Sequence, residues 1–354
     1  MRVAVAGCLT RMAEQRRSPP PFFIVGCPRS GTTLVRNLLR SHPDLTIPAE
    51  SHFMPSFFRA YGDPEDAREA RRLAERILRT WWVQRWRLKL EPQDLEGCRS
   101  YRELVGRLYE AVADREDALR WGDKTPGYAR HLSTLTAIFP GAQFVHVVRD
   151  GRDVALSLLR TGLGPRSVYT AARCWKDHVV AARRDGAPLG SQQFKEVRYE
   201  DLAARPELTM RELCDFLEVP FDQGVLRPTP IDWRTSPSTF GPRRAGHISD
   251  SELVRSNAGK WRQELPPREV EIFESVAGDV LEEYGYETTG CVRRVSGPQK
   301  AAAHARDRLL WTGYQLRREN KRVWVPTELQ LARARVRAWF RTAGFKPRGR
   351  RARA

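Results

Sequence analysis

Apolar residues along this chain fall into short continuous runs separated by helical periods. Phe22-Phe23-Ile24-Val25 is two aromatic and two β-branched residues in a row, the composition of a strand buried on both faces. A Gly/Pro/Ser loop from Gly26 to Gly31 then opens onto Leu34, Val35, Leu38 and Leu39 at helical spacing. The predicted helix stops at His42-Pro43, since proline disfavours helix in the residue before it. Phe144-Val145-His146-Val147-Val148 repeats the theme, with the loop Arg149-Asp150-Gly151-Arg152-Asp153 and a helix bearing Val154, Leu158 and Leu159. A short strand is predicted between Asp44 and Glu50 and a third strong one at Phe194 to Tyr199, followed by a helix started by Pro206. Other helices are predicted over Pro64 to Leu90, from a Thr125 cap and Pro126 toward Phe139, and over Pro266 to Tyr284. Strands alternating with helices predict an α/β fold, a central parallel sheet with helices on both faces.

Charge divides the chain further. Its 354 residues carry a formal net charge of +18, of which residues 291–354 hold +15. The reading is a loose basic leader over 1–20, one domain over 21–290, and a basic helical tail over 291–354. In the tail, Thr327 and Gln330 make a capping box, and Leu329, Val336, Trp339 and Phe340 share a helical face flanked by arginines. That is the composition of an interfacial helix, so contact with an anionic membrane is one expectation and docking on the protein's own body the other. Nucleic acid is the weaker partner, because basic tails bind phosphate backbones without selectivity. The six cysteines show no C-x-x-C spacing and no close histidine partner, so neither a zinc site nor a disulfide framework is expected. No run approaches the ~18 apolar residues of a spanning helix, and a cytoplasmic protein, at most peripheral to a membrane, is expected.

The loop after the first strand carries the chemistry. Gly26 and Gly31 occupy the glycine positions of G-x-x-x-x-G-K-[ST], where bare backbone wraps an anion at a helix N-terminus. Thr32 stands where that motif needs lysine, and Arg29 supplies a cation instead. The missing lysine is the one that reaches the outer phosphates of a nucleoside triphosphate, so a kinase or NTPase is the disfavoured alternative. The expected fold is thus a P-loop-like sheet.

Pro28-Arg29-Ser30-Gly31-Thr32-Thr33-Leu34 resembles the 5′-phosphosulfate loop of sulfotransferases that use 3′-phosphoadenosine-5′-phosphosulfate (PAPS), nearest to the tyrosylprotein branch and its bacterial relatives. The resemblance implies that Arg29, Ser30, Gly31, Thr32 and Thr33 hold the 5′ end. Arg149, with Ser157 eight residues on, would clamp the 3′-phosphate. Glu50, twenty-one residues beyond Arg29, would be the catalytic base, with His52 competing for the role. Lys124 and Arg29 would neutralise charge near the transferred group, Tyr199 would border the nucleotide, and Lys260 in Gly259-Lys260-Trp261 would reach a phosphate. No metal is called for. The implied reaction moves a sulfuryl group from PAPS to a hydroxyl or amine of a small-molecule, lipid-linked or peptide acceptor. A remaining alternative is a basic membrane- or nucleic-acid-binding module on a degenerate scaffold, which has no physical need for Arg29, Lys124, Arg149 and Ser157 together.

Overall fold

A computed structural model describes residues 19–161, 164–227, 257–291 and 293–319. Five parallel strands lie in the order β2-β3-β1-β4-β5. They are β1 (Phe22–Gly26), β2 (Leu45–Thr46), β3 (Arg120–Lys124), β4 (Gln143–Val148) and β5 (Phe194–Arg198). β1 is central, pairing Ile24 with Lys124 of β3 on one side and Gly26 with Val147 of β4 on the other. The loop after β1 therefore emerges at the carboxyl edge of the sheet between the ends of β3 and β4, where open α/β sheets bind ligands.

Alternation along β1 sends its residues to two different cores, as the pleat requires. Phe22 and Ile24 join Val35, Leu38, Leu213 and Leu217, from helices α1 (Thr32–Leu39) and, further on, α9 (Pro206–Phe216). Phe23 and Val25 face α2 (Met54–Tyr61), α3 (Ala67–Leu78), α4 (Tyr101–Glu116) and α5 (Leu132–Ile138) through a core that includes Phe57, Ile77, Leu108 and Leu135. A third cluster joins α6 (Gly151–Thr161), α7 (Val168–Gly186) and α10 (Pro267–Glu283) around Trp175 and Phe273. A short α8 (Tyr199–Ala204) follows β5 directly. The predicted parallel α/β architecture is thus what the chain adopts.

β3 is the element the hydrophobic pattern hides, because Arg-Trp-Gly-Asp-Lys reads as a polar connector. All five residues are buried, and each charge has a partner. Arg120 donates to the carbonyls of Pro20 and Leu217 and to Gln143 Oε1. Asp123 accepts from the Tyr109 hydroxyl at 2.6 Å. Gly122 is required at its position, since a Cβ there would lie 2.4 Å from the Phe22 ring. Three further corrections are local. The helix expected from Thr125 is a 3-10 turn over Pro126–Arg130 followed by α5, and Thr125 Oγ1 accepts from the Ser51 amide instead of capping it. The expected Pro64 to Leu90 helix is α3 plus a separate turn at Trp81–Gln84. The third strand ends at Arg198, and Tyr199 begins α8. Helices α2, α4 and α7 were not predicted, although Ser100 and Ser167 cap α4 and α7 by accepting from Glu103 and Thr170 amides.

The first stretch of the tail forms α11 (Gly297–Glu319), which docks on α7. Asp307 Oδ1 accepts from the Arg166 amide at 3.0 Å, and His304 meets the Tyr169 ring edge-on at 5.6 Å. The leader up to residue 18 and the amphipathic segment expected at 327–343 lie outside the described residues. Among the described residues, no helix is long and apolar enough to cross a membrane.

Candidate active site

The loop from Gly26 to Gly31 is shaped by close approaches at both ends. A Cβ on Gly26 would meet the Val147 carbonyl oxygen at 2.5 Å, and one on Gly31, whose φ is +96°, would strike the Tyr199 ring at 2.4 Å. Arg29 between them also sits at positive φ, +81°, a conformation L side chains avoid and functional loops tolerate. Ser30 Oγ is buried and has no hydrogen-bond partner among the described residues. Thr32 is buried and Thr33 exposed. The first turn of α1 carries no acidic residue and no side-chain cap, so its positive end is left for an anion. An orphaned hydroxyl, a glycine cradle and an uncapped helix fit a phosphate or sulfate group.

A second cationic group adjoins the loop. Arg149, at the end of β4, donates to the carbonyls of Arg29 and Asn257 and lies 4.7 Å from the Tyr199 ring centroid. Its Nε is buried without a hydrogen bond. Arg29 Nε donates to Ser157 Oγ at 3.0 Å. The sequence assigned Arg29 to one end of a nucleotide and Ser157 to the other, and the structure bridges the two with one side chain. The rest of Arg149-Asp150-Gly151-Arg152-Asp153 is structural. Arg152 is buried, pairs with Asp150 and Glu274 at 2.8 and 2.7 Å, and lies over the Trp261 ring. Asp153 accepts from the amides of Gly259 and Trp261 at 2.7 and 2.9 Å, which fixes the backbone on both sides of the partly buried Lys260 next to this loop.

The catalytic candidates meet on the other side. Lys124, at the end of β3, donates to Glu50 Oε1 and, at 3.4 Å, to Thr33 Oγ1 of the loop. His52 Nε2 is 2.7 Å from Glu50 Oε2. Glu50 thus spans both residues that compete with it or assist it. Burial opposes its ionisation, but the charge of Lys124 and the contact with His52 outweigh that cost and hold its carboxyl well below the usual carboxylate range. Burial lowers the Lys124 ammonium from its ordinary value, and Glu50 offsets this in part. The segment carrying Glu50 and His52 is fastened to the end of β3: Ser51 N–H donates to Thr125, Ser51 Oγ pairs with the Tyr128 hydroxyl at 2.7 Å, and that hydroxyl also accepts from the Met54 amide. His52 has φ +56° and packs 5.6 Å from the Trp82 ring.

Sequence reasoning missed Asn257, which supplies a carbonyl to Arg149, and Asp153 as the anchor of the Gly259-Lys260-Trp261 element. Neither has a local signal, because both act across about a hundred residues. It also overlooked Cys174 and His178, one helical turn apart on α7, which meet Cys27 of the loop.

A central parallel β1, an anion-shaped loop at its carboxyl end and an adjoining Arg149, Arg29 and Ser157 group define an α/β protein with a P-loop-like fold. A family model described as "Sulfotransferase family" matches residues 20–223, and one described as "Sulfotransferase domain" matches residues 173–285. The chain belongs to the sulfotransferase family. It is 26% identical over 288 residues to a protein-tyrosine sulfotransferase of Drosophila melanogaster, covering 78% of this chain and 54% of that protein. To protein-tyrosine sulfotransferase 1 of Homo sapiens it is 27% identical over 290 residues, covering 76% and 70%. A solved sulfotransferase domain from the curacin biosynthetic pathway superposes with a TM-score of 0.53 at 25% identity, over 76% of this chain and 99% of that domain. The chain spans about half the length of the fly protein.

Proposed function

We propose that this chain transfers a sulfuryl group from PAPS to a hydroxyl or amine, leaving adenosine 3′,5′-bisphosphate. One observation carries the reading: Glu50 is held between Lys124 and His52 at the mouth of an anion loop that lacks the lysine of triphosphate-binding proteins. When bound, PAPS supplies the sulfuryl group and a 5′-phosphate as leaving group. Ser30, Thr32, Thr33 and the amides of Gly31 and the α1 N-terminus orient the 5′ end. Arg149 and Ser157, with Arg29 and Lys260 adjoining, hold the 3′-phosphate and sense the nucleotide face together with Tyr199. Lys124 neutralises charge that develops on the leaving oxygen, as preorganised cations do elsewhere in group transfer. Glu50 accepts the acceptor proton at its carboxylate, and His52 orients it. The acceptor is a small-molecule, lipid-linked or peptide hydroxyl or amine.

Titration calorimetry tests the nucleotide site. Adenosine 3′,5′-bisphosphate should bind and ATP should not; preference for ATP would return the chain to the kinase reading. Contact of the tail with an anionic membrane belongs to the same proposal, supported by the +15 charge of residues 291–354. Salt-sensitive pelleting of the full chain with anionic vesicles, lost on ending the chain near Thr289, is the expected result.

A further inference from the structure

Cys27 is the first residue after Gly26, and it is completely buried. Its sulfur, the Cys174 sulfur and a ring nitrogen of His178 all lie within 4.8 Å of one another. Cys174 and His178 belong to α7, which is packed against α6 and α10. Cys27 and Cys174 share a hydrogen bond. That bond holds the Cys174 thiol well below its ordinary value against the cost of burial, with His178 adding to the effect, while burial pushes the Cys27 thiol up. Cys174, on a residue only partly buried, is thus the sulfur favoured as the thiolate, and Cys27 is the sheltered thiol beside it.

A bound cation is the rival use of these three groups, and the test below separates the two. His178 Nδ1 is 2.7 Å from the Cys174 carbonyl oxygen, so it donates its proton there.

We propose that Cys27 and Cys174 form a hydroperoxide-sensitive dithiol whose oxidation to an intramolecular disulfide distorts the loop after β1 and weakens nucleotide binding. The cross-link stands on the cysteine geometry alone, whereas the affinity change rests on the nucleotide reading above. In the first step the Cys174 thiolate attacks the outer oxygen of a hydroperoxide. The O–O bond breaks, an alcohol or water departs with a proton, and Cys174 becomes a sulfenic acid. In the second step the Cys27 sulfur attacks that sulfenic sulfur. The S–S bond forms, the S–O bond breaks, and the hydroxyl leaves as water with the Cys27 proton. The peroxide gains two electrons and the two thiols lose them.

The consequence for the loop follows from its attachments. A disulfide needs its sulfurs ~2.05 Å apart, closer than any hydrogen-bonded pair of thiols, so Cys27 must move toward α7. Gly26 already sits against the Val147 carbonyl with no room for a Cβ. The Cys27 carbonyl accepts from the Ser30 amide at 3.1 Å, so displacement of Cys27 is passed to the turn that carries Arg29 and Ser30.

The test uses the full reduced chain treated with hydrogen peroxide. Non-reducing peptide mass spectrometry should show a cross-link between the Cys27 and Cys174 peptides. Affinity for adenosine 3′,5′-bisphosphate should fall about tenfold or more and return with dithiothreitol. Cys174→Ser should form no such cross-link and keep its affinity through the same treatment, with reduced-state activity like the parent. Sulfinic acid at Cys174 without a cross-link, a disulfide to a different cysteine, an unchanged affinity in the cross-linked chain, or stoichiometric zinc that shields both thiols would overturn the proposal. A cross-link in a chain that binds no bisphosphate even when reduced would sink the nucleotide assignment and leave the dithiol supported.

Discussion

Arg29 Nε donates to Ser157 Oγ at 3.0 Å, joining the loop after β1 to helix α6 across 128 positions of sequence. With Arg149 donating to the Arg29 carbonyl, the loop arginine is held by its backbone and its side chain at once. Removing the serine hydroxyl takes away this one contact and keeps the guanidinium. Ser157→Ala is expected to weaken bisphosphate binding about tenfold, ~1.4 kcal/mol, the scale of one hydrogen bond to a charged group. Arg29→Ala should cost more in affinity, since it removes the cation itself. Calorimetry on both variants checks this, and an unchanged affinity for Ser157→Ala would remove Ser157 from the site.

Glu50 and His52 can be separated by rate. A carboxylate serves as a base and its amide does not. Glu50→Gln should therefore abolish transfer while bisphosphate affinity stays near the parent value. His52→Ala should lose less than about tenfold in kcat, because it removes an orienting contact and leaves the proton acceptor in place. The opposite pattern in single-turnover rates would make His52 the base.

The same carboxylate links stability to pH. Its folded-state pKa is depressed below the unfolded value, so its contribution is fully present above the unfolded value of about 4.3 and is lost as pH falls through the folded one. Glu50→Gln leaves the buried Lys124 ammonium without its carboxylate, a change on the order of 3 kcal/mol. The difference in urea midpoint between parent and variant should hold steady between about pH 5 and pH 8 and shrink below about pH 4. A difference that grows on acidification would contradict the ion pair.

Arg152 carries no ligand in this reading, and its removal should be a stability event. Arg152→Ala leaves the buried Asp150 and Glu274 carboxylates without their cation, a loss of about 3–5 kcal/mol. Urea denaturation should show it, and Arg152→Lys should recover only part, since one ammonium cannot replace a planar fork that reaches two carboxylates. A midpoint unaffected by Arg152→Ala would mean that solvent reaches these groups.

The chain's own pattern determined the frame. Arg149 and Ser157 came with the family resemblance, whereas four apolar residues followed by a glycine-bounded loop and a helical period read locally as strand, loop and helix, and the same logic found β4. These readings worked because each rests on neighbours within a dozen residues. Tertiary structure decided what such neighbours cannot express. β3 is buried despite its polar sequence because its charged side chains find hydrogen-bond partners as distant as the Leu217 carbonyl, and the Arg29 to Ser157 bridge spans 128 positions of chain. Cys27 and Cys174 are 147 residues apart, so no spacing rule could pair them. The sheet does so, by setting the loop after its central strand against one face of α7.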